Sequence, residues 1–107
     1  MNPFERESAL IKLLQDAIQD DFTHGKLLRK IRKEVLGFSQ ERYASLAGIS
    51  RRTLSDVELD KESITLTTLN RVFKPLGLKL GLLPRQKHMM QELLSNLTQQ
   101  GTPDDHS

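Results

Sequence analysis

Apolar side chains recur every three or four residues along most of this 107-residue chain, the spacing of amphipathic α-helices. Gly37 and Gly48 follow two of these segments in the position where helices favour glycine. Ser39 and Ser50 precede two others and can cap their first turns. The pattern predicts helices over residues 3–18, 26–36, 40–47, 51–59, 66–75 and 85–99.

After residue 77 the apolar period changes from helical spacing to alternation. Leu78, Leu80 and Leu82 alternate with Lys79 and Gly81, which is typical of a short β-strand. A single strand in a helical chain has no neighbour for its backbone donors and acceptors, so we expect it to pair with the same strand of a second copy. The predicted organisation is an N-terminal helical extension (1–23), a central domain (24–84), and a C-terminal helix with a disordered tail (85–107).

Composition narrows the class of protein. Hydrophobic residues make up 36% and charged residues 28% of the chain, which allows a modest core and argues against a deep enzyme cleft. Cysteine is absent, so thiolate metal sites and disulfides are excluded. The N-terminal residues lack the order of a signal peptide, and no apolar run reaches the roughly 20 residues of a membrane helix. We expect a cytoplasmic protein.

The charge is unevenly distributed. Residues 24–85 hold thirteen basic and six acidic residues, a net charge of +7, whereas residues 1–23 and 86–107 carry −3 and −2. A basic centre between acidic flanks fits a polyanion-binding surface, although a solvated lysine-rich surface would give the same balance.

Residues 40–59 have the pattern of two short helices that cross at a fixed angle. Ala44 is small where the second helix crosses, and Gly48 permits the tight turn. Five further positions are apolar, as the buried side of such a pair requires. These features together favour a helix-turn-helix over an ordinary two-helix hairpin. The five apolar positions are Tyr43, Ala47, Ile49, Leu54 and Val57.

The stretch from about Leu27 to Leu83 resembles the Cro/CI-like helix-turn-helix domains, and in particular the HipB-like antitoxins. The resemblance lies in RKIRKEVLGFSQERYASLAGISRRTLSDVE and in TLTTLNRVFKPLGLKLGLLPR. It implies an all-α, five-helix lambda-repressor-like fold, dimerisation through a short C-terminal β-strand, repression of the protein's own operon, and a HipA-type kinase toxin as partner. Tyr43 departs from the family's commoner leucine, and the segment before residue 24 is not explained by the family.

Two groups of residues are candidates for contact with double-stranded DNA. Gln40, at the start of the first motif helix, can hold a phosphate with its amide and the exposed helix N–H groups. The early turns of the second helix can reach base edges in the major groove, where arginine bonds guanine and threonine contacts the thymine methyl. The residues at this helix start are Ser50, Arg51, Arg52, Thr53 and Ser55.

Backbone contacts are predicted more weakly for Lys26, Arg29, Lys61 and Lys74. Glu58 is predicted to be structural, pairing with Arg29 or Arg32 to brace the second helix. The histidines are far apart and lack companion acids, and phosphate loops and nucleophile–base arrangements are missing, so we expect neither a metal, a cofactor nor an enzyme.

Two other functions fit the same sequence. One is a stand-alone phage-type regulator with no toxin partner, and the other is a module that binds only protein, such as a kinase-neutralising subunit. The amphipathic segments 1–18 and 85–99 leave a related choice open. They either pack on the core or across a dimer, or one of them docks a toxin or kinase subunit.

Overall fold

The computed structural model describes residues 1–100, and the predicted disordered tail lies outside them. Helices are the only regular secondary structure among these residues, which confirms the all-α class. Its helices are α1 (Pro3–Asp20), α2 (His24–Lys30), α3 (Gln40–Ala47), α4 (Arg51–Glu58), α5 (Leu66–Phe73) and α6 (Lys87–Gln100). A π-helical segment (Ile31–Leu36) continues α2, and a 3₁₀ turn (Lys74–Leu76) continues α5.

Side-chain caps fix where the first five helices begin. Ser39 and Ser50 cap α3 and α4 as predicted, each accepting a hydrogen bond from a backbone N–H three residues ahead. Asn2, Thr23 and Thr65 do the same for α1, α2 and α5. These local bonds explain why the predicted starts of α3 and α4 agree with the structure to the residue.

The main core lies where α2, α3, α4 and α5 meet. Leu28, Tyr43, Leu54 and Val72 have no exposed surface, and Phe73 is nearly as buried. Because these residues come from all four helices, α3 and α4 are held at a fixed angle by the same apolar contacts that close the domain.

Helix α1 packs beside this domain through one face. Leu13 is buried against Ile31 and Val35 of the π-helical segment, and Ala9 and Leu10 lie alongside. The N-terminal segment that the family resemblance leaves unexplained is thus attached to the domain through a second, smaller core cluster.

Two predicted elements differ from the structure. Residues 26–36 were expected to be one α-helix, but residues 31–36 form a π-helix that ends at Gly37, which has a φ of 66°. There the N–H groups of Gly37 and Phe38 both donate to the Arg32 carbonyl. The six residues are too few for the apolar pattern to distinguish the two helical periods.

The predicted strand over Leu78, Leu80 and Leu82 is not present. In the described part of the chain, residues 78–84 form neither helix nor strand. Leu78 and Leu80 instead pack as half-buried side chains against the main core, whereas Leu82 is fully exposed. A strand exists only through hydrogen bonds to a neighbouring strand, and no segment of residues 1–100 supplies one.

None of the helices in residues 1–100 has the length and apolar character needed to cross a membrane.

Candidate nucleic-acid interface

Helices α3 and α4 are joined by a three-residue turn that depends on glycine. Gly48 has a φ of 73°, a left-handed conformation that residues with a Cβ rarely adopt. The Ile49 N–H then donates to the Ala44 carbonyl at 3.0 Å, which closes the end of α3. Ala44 is buried, as predicted for the position where the helices cross. The sequence therefore folds into the helix-turn-helix that its pattern predicts.

The first turn of α4 presents two arginines to solvent. Arg51 and Arg52 are both exposed, whereas Leu54 and Val57 on the opposite face are buried. The backbone of Arg51 and Arg52 is fixed by Ser50, whose hydroxyl oxygen accepts a hydrogen bond from the Thr53 N–H at 3.0 Å.

Ser50 and Thr53 are bonded to each other at this helix start. The Ser50 hydroxyl donates to Thr53 Oγ1 at 2.8 Å, so both hydroxyls already have a partner within the chain. Ser55 lies one turn farther along and is half-buried. Ser50 is the cap of α4, as predicted, and the methyl group of Thr53 is the part of that side chain that remains for a thymine methyl.

Arg51 also reaches across to α3. Its Nε lies 3.7 Å from Glu41 Oε2, and both side chains are largely exposed. This ion pair places the first turns of α3 and α4 side by side on one surface. It is weak because water screens both charges, so a phosphate or a base can displace it.

A buried ion pair holds the other end of α4. Arg32 bonds Glu58 through two contacts, Nε to Oε2 at 2.6 Å and a terminal nitrogen to Oε1 at 2.9 Å. Arg32 also donates to the Phe38 carbonyl at 2.9 Å. The predicted bracing role of Glu58 is confirmed, with Arg32 and not Arg29 as its partner.

Gln40 joins the same network. Its side-chain Nε2 donates to Glu58 Oε1 at 3.1 Å, so the amide nitrogen is used within the chain. The Gln40 backbone N–H remains at the start of α3, next to the Ser39 cap. The network links the start of α3 to the end of α4 through a single carboxylate.

A second clasp joins the start of α2 to the loop after α4. Asp60, which has a φ of 57°, accepts from the Gly25 N–H at 2.9 Å and from the Thr23 hydroxyl at 2.7 Å. Its carboxylate thereby satisfies the positive end of α2. Sequence reasoning missed this clasp, since residues 25 and 60 are 35 positions apart and neither alone signals the contact.

The basic residues of α2 and the arginines in the first turn of α4 lie on different parts of the surface. Lys26 and Arg29 line a shallow cleft with Lys30, Lys33, Glu34, Glu58 and Asp60, at the C-terminal end of α4. Lys26 is additionally held with its Nζ 4.4 Å from the centre of the Phe22 ring. A phosphate contact by this cleft would lie about 10 Å from the first turn of α4, given the rise of a helix.

Lys61 and Lys74, which were also predicted to contact the DNA backbone, lie apart from the arginines of α4 as well. Lys61 is exposed in the loop after α4, and its N–H donates to the Asp56 carbonyl. Lys74 lines a different surface with Leu46, Ala47, Arg71 and Pro75, near the end of α3.

Two residues that sequence reasoning missed lie next to the candidate contacts. Arg42, in the first turn of α3, is exposed, with its guanidinium carbon 3.8 Å from the centre of the Phe38 ring. Asp56 is half-buried and follows Arg52 by four residues, so it shares that face of α4. For Asp56 the signal available in the sequence was its offset of four residues from Arg52, whereas Arg42, two residues after Gln40, lies on another side of its helix.

Among residues 1–100, no three His, Cys, Asp or Glu side chains are grouped so that they could hold a metal ion.

Comparison with known proteins gives a consistent set of matches. A family model described as Helix-turn-helix matches residues 28–83. The HTH-type transcriptional regulator PuuR of Escherichia coli (strain K12) is 41% identical over 57 residues, which are 53% of this chain and 30% of the regulator. PuuR of Shigella flexneri gives the same values. Control protein C.MunI of Mycoplasma sp is 34% identical over 57 residues, which are 53% of this chain and 77% of that protein.

The chain thus spans 30% of the length of the PuuR regulators and most of the length of C.MunI. No solved structure gives a significant match. The family match begins in α2 and extends past α5, so it includes both helices of the turn and the core residues that hold them.

Proposed function

Because this chain belongs to the helix-turn-helix family, we propose that it is a sequence-specific DNA-binding transcriptional repressor that acts as a homodimer. The observation that carries the proposal is the first turn of α4. It presents Arg51 and Arg52 to solvent on a helix whose opposite face is fixed in the core.

The geometry supports α4 as the helix that enters the major groove. A docked helix must keep its orientation while its N-terminal residues contact base edges. The Ser50 cap fixes the start of α4, and the buried Arg32–Glu58 pair fixes its end. In this arrangement Arg51 or Arg52 bonds guanine, Thr53 contacts a thymine methyl, and Ser55 lies beside them.

Phosphate contacts come from the surfaces around α4. The backbone N–H of Gln40, at the start of α3, faces one strand, while its amide orients Glu58. Lys26 and Arg29 in the cleft at the far end of α4, with Lys61 in the next loop, contact the backbone farther along. Such contacts carry affinity without sequence information.

The dimer is proposed to form through residues 78–82. Leu78 and Leu80 anchor this segment on the core, and exposed Leu82 continues it away from the domain. The segment follows α5 directly, and it can pair with the same segment of a second copy. A two-fold dimer would read a palindromic operator.

The finer proposal is that the chain is the HipB-like antitoxin of an operon that it represses with a HipA-type kinase partner, in the cytoplasm. Its support is the resemblance of residues 65–85, where a helix ends in Leu76 and Gly77 before the alternating segment. That proposal is tested by looking for a kinase-like gene beside this one and by measuring whether its product co-purifies with the chain. If no such gene is present, a stand-alone regulator remains; the relatives are named as a transcriptional regulator and a control protein.

The DNA-binding proposal is tested by comparing Arg51→Ala and Arg52→Ala with the unchanged chain. Affinity is measured by fluorescence anisotropy on the chain's own upstream DNA and on a random duplex of equal length. Loss of one bidentate base contact should weaken specific binding by about 1–3 kcal/mol and leave random binding nearly unchanged. Arg6→Ala, at an exposed position on α1, is the matched control.

Equal losses on both duplexes would assign the affected arginine to a phosphate. Unchanged affinity in both variants would show that α4 does not read DNA. The lack of salt-dependent binding to either duplex would instead favour the protein-only module.

A further inference from the structure

Helix α1 carries a second apolar stripe on the face turned away from the domain. Phe4, Ile11 and Ile18 are seven residues apart, which places them along one side of the helix. Their exposed fractions are 83%, 50% and 40%, whereas Leu13 on the inner face is buried. Three large apolar side chains in a line on an otherwise charged helix mark a surface that a partner covers.

Helix α6 also exposes apolar side chains, spread over a broader face than the stripe of α1. Met89, Leu94 and Leu97 are 47%, 45% and 57% exposed. Within residues 1–100, α6 contributes to neither of the two core clusters. Leu82, in the connection before α6, is 100% exposed.

The charges at the ends of these helices are complementary. Asp20 and Asp21 lie at the C-terminal end of α1, where the helix dipole is already negative and the last turn has no basic residue. Arg85 and Lys87 lie at the N-terminal end of α6, where the dipole is positive, and no acidic residue occurs between residues 79 and 91. Antiparallel contact would put each unfavourable charge beside its opposite.

Helix α6 is long enough to lie along this stripe. The stripe from Phe4 to Ile18 covers fourteen residue steps, about 21 Å at the rise of an α-helix, and α6 has 14 residues. The exposed apolar residues of α6, from Met89 to Leu97, span about 12 Å and can cover part of the stripe.

We propose that α6 of one copy of this chain docks antiparallel on the outer stripe of α1 of a second copy, and that the second copy returns the same contact. The occupant is a second copy because the chain itself holds both complementary surfaces, and the apolar side chains of both stay exposed in its own fold. A reciprocal exchange around a two-fold axis places both surfaces in contact in both copies. The proposal rests on the homodimer of the proposed function and adds a contact to it, and it does not depend on DNA recognition.

Two charge-reversal variants of the full chain test the exchange by sedimentation without DNA. With Asp20→Lys/Asp21→Lys, the C-terminal end of α1 and the N-terminal end of α6 both carry positive charge. With Arg85→Glu/Lys87→Glu, the same two ends both carry negative charge. Each variant alone should have a dimer dissociation constant at least about tenfold higher than the unchanged chain. An equimolar mixture should form heterodimers, because every α1–α6 contact in them again joins opposite charges.

Thermal melting of each variant checks the fold, and Glu62→Lys is the control for reversal of an exposed charge in a loop outside both helices. Ile11→Gln removes the centre of the stripe without adding charge and should also weaken the dimer. Dimers that withstand both reversals would overturn the proposal. So would a mixture that does not form heterodimers, which would indicate docking within one chain, or an unchanged chain that sediments as a monomer.

Discussion

Tyr43 couples the stability of the domain to alkaline pH. Its hydroxyl donates to the Val72 carbonyl in the last turn of α5. Burial, together with the negative charge of Glu58, raises the pKa of Tyr43 from 10.0 to about 12. As the pH rises, the unfolded chain loses this proton first. The stabilisation is therefore complete below pH 10 and is lost as the pH rises towards 12.

Tyr43→Phe should lower the free energy of unfolding at pH 7 by about 1–3 kcal/mol, because a buried carbonyl loses its donor. The variant should also lose less stability than the unchanged chain between pH 9 and 11, since phenylalanine has no proton to release. Urea denaturation at several pH values measures both effects. Parallel stability curves for the two proteins would contradict the assigned pKa.

Individual residues differ in how far the sequence could predict them. Glu58 was predicted to pair with Arg29 or Arg32, and the structure shows the pair with Arg32. Gln40 was predicted only as a phosphate contact, whereas its amide bonds Glu58. The sequence places both residues on helices, but it does not give the distance between side chains eighteen positions apart.

At the scale of helices, the closest crossing is between α2 and α4 at Gly25. A Cβ at this position would lie 2.8 Å from the Glu58 carbonyl oxygen and would also meet the Val57 carbonyl. Both obstacles are backbone atoms, so neither can rotate away. Gly25→Ala should destabilise the domain by about 1–3 kcal/mol even though alanine favours helices.

Gly81→Ala is the control for that variant. A Cβ at residue 81 would meet nothing within 4 Å, so the free energy of unfolding should change by less than about 0.5 kcal/mol. Urea denaturation compares the two. If Gly25→Ala is as stable as Gly81→Ala, the helices do not approach as closely as described.

Local signals explain which elements could be predicted. The Ser39 and Ser50 caps and the Gly48 stop act within four residues of a helix end, so both bounds of α3 and the start of α4 followed from the sequence. The clasp of Asp60 on the start of α2 did not, because it depends on how two helices cross. The strand was predicted from alternation alone and is not present in the described chain, because a strand requires a neighbouring strand and residues 1–100 supply none.

For the whole molecule, the proposed pairing of residues 78–82 with a second copy depends on which backbone N–H groups are already bonded within the chain. The Leu78 N–H donates to the Phe73 carbonyl at 3.2 Å, and the Leu80 N–H donates to Asn70 Oδ1 at 3.3 Å. Alternate residues of a strand direct their N–H groups to opposite sides. Lys79 and Gly81 would therefore face the partner.

Lys79→Pro removes one of these outward donors and should raise the dimer dissociation constant by about tenfold. Lys79→Ala loses the same charge, keeps the donor, and should dimerise normally. Sedimentation equilibrium measures both. Equal dissociation constants would show that residues 78–82 do not pair, and would leave the α1–α6 exchange as the dimer contact.

Charge distribution predicted a basic centre but not its arrangement over the molecule. The +7 of residues 24–85 is divided among the first turn of α4, the cleft beside its far end, and the Lys74 surface. Composition cannot separate these surfaces, because they are defined by which helices cross.

Footprinting of the purified chain on the DNA upstream of its own gene tests sequence-specific recognition most directly. We expect two protected half-sites with centres about 34 Å apart, one on each side of a two-fold axis. The Arg51→Ala/Arg52→Ala double variant should melt normally and lose this protection. A folded chain that protects no upstream segment better than random DNA, even at about 50 mM salt, would contradict a repressor function.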